Sequence, residues 1–126
     1  MKIISTDSAP TAAGPYSQAV KAEKFVFSSG QLPVDPRTGA VVPGGIAAQT
    51  ERAIENLKAV LESAGSSLEK TVKTTCFLKD MADFAEFNRV YAGYFTGKPA
   101  RSCIEASALP RGVLIEIDAI SATESE

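Results

Sequence analysis

A few separated stretches of this chain carry residue types able to do chemistry without a metal. The first is Pro99-Ala100-Arg101-Ser102-Cys103-Ile104-Glu105, which puts a guanidinium and a thiol two residues apart in a short extended segment. Strand alternation turns Arg101, Cys103 and Glu105 to one face and Ser102 and Ile104 to the other. An arginine on such a face can bind a small carboxylate through two parallel charge-assisted hydrogen bonds, held more rigidly than on a loop. It can equally be a surface ion-pair partner, and the stretch alone does not choose. In Gly14-Pro15-Tyr16-Ser17-Gln18, the glycine and proline fix the chain direction, so Tyr16 either aims its hydroxyl at one place or packs half buried. In Ser28-Ser29-Gly30-Gln31-Leu32-Pro33, a glycine either lets the backbone approach a ligand or marks a bulge at a strand end. Glu116 and Asp118 stand in a mainly apolar strand. Carboxylates there are costly to bury unless paired, which makes them candidates for a site or for ion pairs.

Composition removes several classes of function. Thirteen basic and fifteen acidic residues in 126 give a net charge of −2, with no run of like charges to hold a nucleic acid or an anionic membrane surface. Histidine is absent and Cys76 lies 27 positions from Cys103, so neither zinc-ligand spacings nor Ser-His and Cys-His nucleophile pairs are available. No metal and no cofactor is expected. No apolar run approaches the roughly 20 residues of a membrane span. Two cysteines and no signal-like N-terminus suggest free thiols in a reducing, cytoplasmic setting.

The elements that must position these residues are legible from periodicity. Lys2 to Ser5 reads as a short strand, and Ala19-Val20-Lys21 with Phe25 to Ser29 as a hairpin. From Ile46 to Ala64 the apolar residues recur at helical spacing, and Gly65 sits where a C-terminal cap belongs. Ser66-Ser67-Leu68-Glu69 has the form of a capping box. Thr71 to Lys79 is β-rich, with Val72, Thr74, Cys76 and Leu78 on one face, so Cys76 is a core thiol. A second helix opens at Asp83 with Glu86, carries Phe84, Phe87, Val90, Tyr91, Tyr94 and Phe95, and ends at Gly97. Asn88 interrupts that stripe and needs a partner, either a backbone carbonyl or a ligand. Leu109-Pro110-Arg111-Gly112 turns the chain into a last strand, Val113 to Ala122, with Val113, Ile115, Ile117 and Ala119 on one face and Leu114, Glu116, Asp118 and Ile120 on the other. Both faces are partly apolar, which predicts helices on one and a partner subunit on the other. The tail Thr123-Glu124-Ser125-Glu126 is expected to fray. The order of elements predicts one domain over residues 1–126, of α+β class, a two-layer mixed β-sheet with two helices on one face.

Gly14-Pro15-Tyr16, Ser28-Ser29-Gly30-Gln31-Leu32-Pro33, Asn88, Pro99-Ala100-Arg101-Ser102-Cys103 and Ile115-Glu116-Ile117-Asp118-Ala119-Ile120, taken together and in this order, strongly resemble the RidA family, also called YjgF/YER057c/UK114. The resemblance spans nearly the whole chain. It implies a chorismate-mutase-like fold and a homotrimer, with helices outside, sheets lining a central barrel, and sites in clefts between subunits. It implies a 2-iminobutanoate/2-iminopropanoate deaminase, hydrolysing reactive 2-imino acids to 2-oxo acids and ammonia.

Under that resemblance Arg101 holds the substrate carboxylate and Glu116 orients or deprotonates the attacking water. Tyr16 and Asn88 hydrogen-bond the imine nitrogen or the water, while Ser29 with the Gly30 and Cys103 backbone completes the anion pocket. Cys103 has no histidine to activate it and lines the pocket without acting as a nucleophile. The run Tyr94-Phe95-Thr96-Gly97-Lys98 is shorter than the equivalent loop in several family members and borders the site, so it bears on substrate range. Two other readings remain: a small-carboxylate-binding trimer without turnover, and an endoribonuclease, a description some family members carry. The acidic balance and the absent histidines oppose the last.

Overall fold

The computed structural model describes residues 1–123, so the predicted fraying of Glu124, Ser125 and Glu126 lies outside the described residues. Six strands form one sheet: β1 (Lys2–Ile4), β2 (Ala19–Ala22), β3 (Phe25–Ser28), β4 (Thr71–Leu78), β5 (Ala100–Glu105) and β6 (Ile115–Ala122). Their order across the sheet is β1-β2-β3-β6-β4-β5. The pairing of β4 with β5 is parallel and the others are antiparallel, which makes the sheet mixed. Two helices, α1 (Gly45–Ser63) and α2 (Phe84–Tyr94), complete the predicted α+β arrangement.

Alternation along the central strand divides the faces. Ile115, Ile117 and Ala119 are buried, and between them Glu116, Asp118 and Ile120 are only half-buried. The buried face meets Ile54, Leu57, Val60 and Leu61 of α1, all fully enclosed. Burial of each such side chain is worth about 1.5–3 kcal/mol. α1 stops where a left-handed residue follows it. Gly65 has φ 82°, its N–H reaches Glu62 O at 3.1 Å, and the N–H of Ser66 reaches Leu61 O at 2.9 Å, a Schellman closure of the last turn.

Several local expectations are corrected. A register shift between Thr71 and Lys73 rotates Val72 outward, leaving it 48% exposed, while Thr74, Cys76 and Leu78 stay buried. Ser66 and Ser67 do not form a capping box, because the Ser66 hydroxyl donates instead to Ala122 O and ties the turn to the end of β6. Asp83 makes no cap hydrogen bond. Asp80 caps the single turn before α2, its carboxylate accepting from the Ala82 N–H at 2.9 Å. α2 ends at Tyr94 rather than Gly97, since Phe95 leaves helical geometry (φ −104°, ψ 66°). Thr123 is held, its N–H donating to Lys24 O at 2.8 Å.

Candidate active site

The candidate residues collect into two groups, one on each side of the sheet. Arg101 pairs in register with Thr74, and Thr74 with Ala119; both neighbours are buried under the helices, so Arg101 points to the helical side. There it meets α2. Phe84, Phe87, Asn88 and Tyr91 lie three, four and seven positions apart and so share one helical face. The guanidinium carbon sits 4.8 Å from the ring centroid of Tyr91, 5.5 Å from that of Phe84 and 5.8 Å from that of Phe87. One guanidinium nitrogen donates to Oδ1 of Asn88 at 2.7 Å. The Tyr91 hydroxyl is fixed in turn against Oγ1 of Thr74 at 2.7 Å. Asn88 thus has its partner in Arg101, and the charge is oriented by an aromatic shelf and one amide, with no carboxylate among the described residues bound to it. A cavity of about 590 Å³ opens in front of this group.

The second group begins with the loop before β2. The Tyr16 N–H donates to Gly14 O at 2.8 Å, a tight turn, and the Tyr16 hydroxyl accepts from the Ala13 N–H at 3.2 Å, which leaves its own proton free to donate outward. Gln18 holds that loop in place. Its buried amide donates to the carbonyls of Thr6, Ala9 and Pro10 at 3.0, 3.3 and 2.8 Å and accepts from the Thr6 N–H at 2.7 Å. The Ser29 N–H returns to Gln18 O at 2.9 Å and the Ser29 hydroxyl donates to Ser17 O, so the tyrosine loop and the end of β3 move as one piece. Beyond Ser29, Gly30 lies directly against Glu116: a Cβ built there would stand 2.8 Å from the carboxyl carbon and overlap Oε2. Glycine is required at that position by space, since its φ is not left-handed. Tyr16, Ser28, Ser29, Gly30, Glu116 and Asp118 line a cavity of about 470 Å³.

Burial raises the Glu116 carboxyl above the usual carboxylate range, and the charge of Asp118 two residues on adds to the rise. Burial raises Asp118 as well, opposed by Lys73. Cys103 belongs to neither cavity. It turns with Arg101 to the helical side, packs against the core, and has its thiol raised by burial despite the opposing pull of Arg101. The expected grouping of the Cys103 backbone with Ser29 and Gly30 is not formed within one chain, because β4 lies between β5 and β6, the strand against which Gly30 packs. Its register neighbour Cys76 is pushed up to about 12, again by burial. Among the described residues no group of three or more His, Cys, Asp or Glu is placed to hold a metal ion.

Three supports escaped sequence reasoning. The aromatic shelf under Arg101 was visible as a helical stripe, but nothing local said that a strand arginine would lie on it. Gln18 is a single amide whose partners lie eight to twelve residues back. Asn56 is similar, its buried amide donating to Leu32 O and Val34 O at 3.0 and 2.8 Å and fixing the segment after Gly30.

Comparison with known proteins places these features in context. The model of the family described as Endoribonuclease L-PSP matches residues 6–123. A RutC family protein of Pyrococcus horikoshii is 54% identical over 124 residues, covering 98% of each chain. A mouse protein named 2-iminobutanoate/2-iminopropanoate deaminase is 46% identical, covering 95% of this chain and 90% of its own. The crystal structure of E. coli TdcF with bound serine superposes with a TM-score of 0.94 at 41% identity, covering 98% of this chain and 100% of the other. Among the described residues no helix is long and apolar enough to cross a membrane.

Proposed function

This chain belongs to the RidA/YjgF family, whose model is described as Endoribonuclease L-PSP, and from that premise we propose that it hydrolyses reactive 2-imino acids such as 2-iminobutanoate and 2-iminopropanoate to 2-oxo acids and ammonia. The observation that carries this reading is the Arg101 guanidinium, fixed by Asn88 and three aromatic rings at the mouth of a cavity and, among the described residues, unpaired with any acid. Such a group is pre-organised for a carboxylate, and fixing the carboxylate fixes the adjacent C=N carbon.

The remaining chemistry falls to the Glu116 group. The overall reaction adds water across the C=N bond and then releases ammonia. Glu116 takes a proton from the attacking water as the C–O bond forms and passes it to nitrogen, giving the carbinolamine; it then relays the remaining hydroxyl proton to nitrogen as the C–N bond breaks, so that ammonia leaves and the carbonyl closes. A carboxyl whose proton affinity is raised by burial suits both steps. The Tyr16 hydroxyl donates to the nitrogen or to the water, and Ser29 with the backbone at Gly30 lines the pocket. Imines hydrolyse unaided in water, so positioning and one proton shuttle suffice.

Arg101 and Glu116 face opposite sides of one sheet, so a single chain does not bring them together. The reading therefore includes a homotrimer whose sites lie between subunits, Arg101 and Asn88 coming from one protomer and Tyr16, Ser29, Gly30 and Glu116 from its neighbour. The helix-free face of the sheet supports association: it leaves Ile3 64%, Phe27 44% and Ile104 51% exposed.

The test is a coupled assay in which threonine dehydratase supplies 2-iminobutanoate and 2-oxobutanoate formation is followed. The wild-type chain accelerates hydrolysis and Arg101→Ala abolishes the acceleration; equal rates with and without the protein overturn the reading. A second reading, carboxylate binding without turnover, is favoured by the serine found in TdcF. Binding of 2-oxo acids without acceleration selects it.

A further inference from the structure

The cavity in front of Arg101 holds a second cation. Within one chain it is lined by Asn88, Tyr91, Phe95, Thr96, Lys98 and Arg101, with Ala92 and Pro99, and no carboxylate among the described residues contributes to the lining. Two basic residues on one wall of a cavity stand out in a chain of net charge −2. Lys98 is exposed at the rim of this cavity, on a turn between α2 and β5 and not on an extended strand. Its backbone is left-handed, with φ 54°, and its N–H closes a turn onto Phe95 O at 3.2 Å. The loop lies against the main chain of Glu69, whose carbonyl is 3.7 Å from the position of a Cβ on Gly97. A non-glycine residue in that conformation is uncommon, and it persists only where the surroundings determine it. Here the short connection from Phe95 to Pro99 leaves no slack, and the turn delivers Lys98 to the wall of the Arg101 cavity.

We infer that Lys98 selects substrates carrying a second, distal carboxylate, so that the preferred substrates are four- and five-carbon 2-imino dicarboxylates. The inference rests on the proposed imine hydrolysis for the identity of the reacting group, but its binding component does not. Arg101, already committed by one nitrogen to Asn88, takes the carboxylate next to the C=N bond through its remaining donors. The apolar walls from Tyr91, Phe95 and Pro99 accommodate the intervening methylenes, and the Lys98 ammonium meets the far carboxylate. Lysine suits this role because its compact charge on a four-carbon stem adjusts to chains of different length, whereas the reacting end needs the rigid planar fork of an arginine.

The experiment uses the stable products as probes. Dissociation constants of 2-oxoglutarate and 2-oxobutanoate are measured by calorimetry for the full chain and for Lys98→Asn, which removes the charge yet tolerates a left-handed backbone, with Lys98→Arg as the rescue. The wild-type chain binds 2-oxoglutarate more tightly than 2-oxobutanoate. The ratio of the two constants falls about fivefold in Lys98→Asn, the size of one partly exposed charge pair, and recovers in Lys98→Arg. A ratio near one in the wild type, or one unchanged by Lys98→Asn, overturns the inference. Hydrolysis of 2-iminobutanoate in the coupled assay separates the two questions. Turnover with an unchanged ratio leaves the deaminase and removes the role of Lys98, and an altered ratio without turnover does the reverse.

Discussion

Oδ1 of Asn88 accepts a hydrogen bond from the Arg101 guanidinium at 2.7 Å, across the gap between a helix and a parallel edge strand. This contact joins a polar residue in an apolar helical stripe to the one arginine of the extended segment before the last strand. It orients the charge by an amide rather than an acid, so the guanidinium keeps its full charge for a ligand.

Asn88 is therefore expected to act on binding more than on the chemical step. In the coupled assay Asn88→Ala raises KM about tenfold to a hundredfold with a smaller change in kcat, matching the roughly 1.5–3 kcal/mol of a hydrogen bond to a charged group. Asn88→Asp weakens binding further, because the new carboxylate neutralises Arg101 and repels the substrate. Equal KM values for all three proteins would show that the amide only packs.

Gly30→Ala is expected to displace the Glu116 carboxylate. The added methyl overlaps Oε2 and has no backbone strain to confound it, since Gly30 is not left-handed. Overpacking of this kind costs about 1–3 kcal/mol, and activity should fall at least tenfold. Combining Gly30→Ala with Glu116→Asp withdraws the carboxylate by one methylene and restores the melting temperature. Wild-type kcat in Gly30→Ala would mean that Glu116 does not handle the reacting water.

The acid limb of activity should report Glu116. Burial, and after it Asp118, raises this carboxyl above its ordinary value of 4.5, and as a base it works deprotonated. Activity therefore rises with pH through a midpoint above 4.5. Asp118→Asn removes the neighbouring charge and moves the midpoint down. Thr75, the register neighbour of Asp118, and Ser102 one strand further on are uncharged, whereas Lys73 opposes the rise in Asp118. Stability runs the opposite way. Between the ordinary and the raised value the folded chain holds more protons than the unfolded one, so stability falls as pH rises through that window. Glu116→Gln flattens this slope, and a chemical-denaturation series across the window measures it.

Periodicity made most of the elements legible. The apolar residues of α1 and the alternation of Ile115, Ile117 and Ala119 state their buried faces directly, and Gly65 marks the helix end it closes. Val72 was misplaced because a register shift depends on how two strands pair, and alternation within one strand carries no trace of it. The capping hydrogen bond falls to Asp80, on the single turn before α2, and not to Asp83, because several acids near a helix start compete for N–H groups and only the backbone geometry chooses.

The sequence by itself determined which residues have the chemistry: an arginine in an extended segment, a glutamate in an apolar strand, a tyrosine behind Gly-Pro, and no histidine to activate a thiol. Those follow from residue type and local spacing. The tertiary structure alone decided which of them share a side of the sheet. Register across β5, β4 and β6 turns Arg101 and Cys103 toward the helices and Glu116 and Asp118 away from them, and that parity is set by hydrogen bonding between strands far apart in the chain. For the same reason the partner of Asn88, the loop held by Gln18 and the clearance that Gly30 gives Glu116 became visible only in the folded chain.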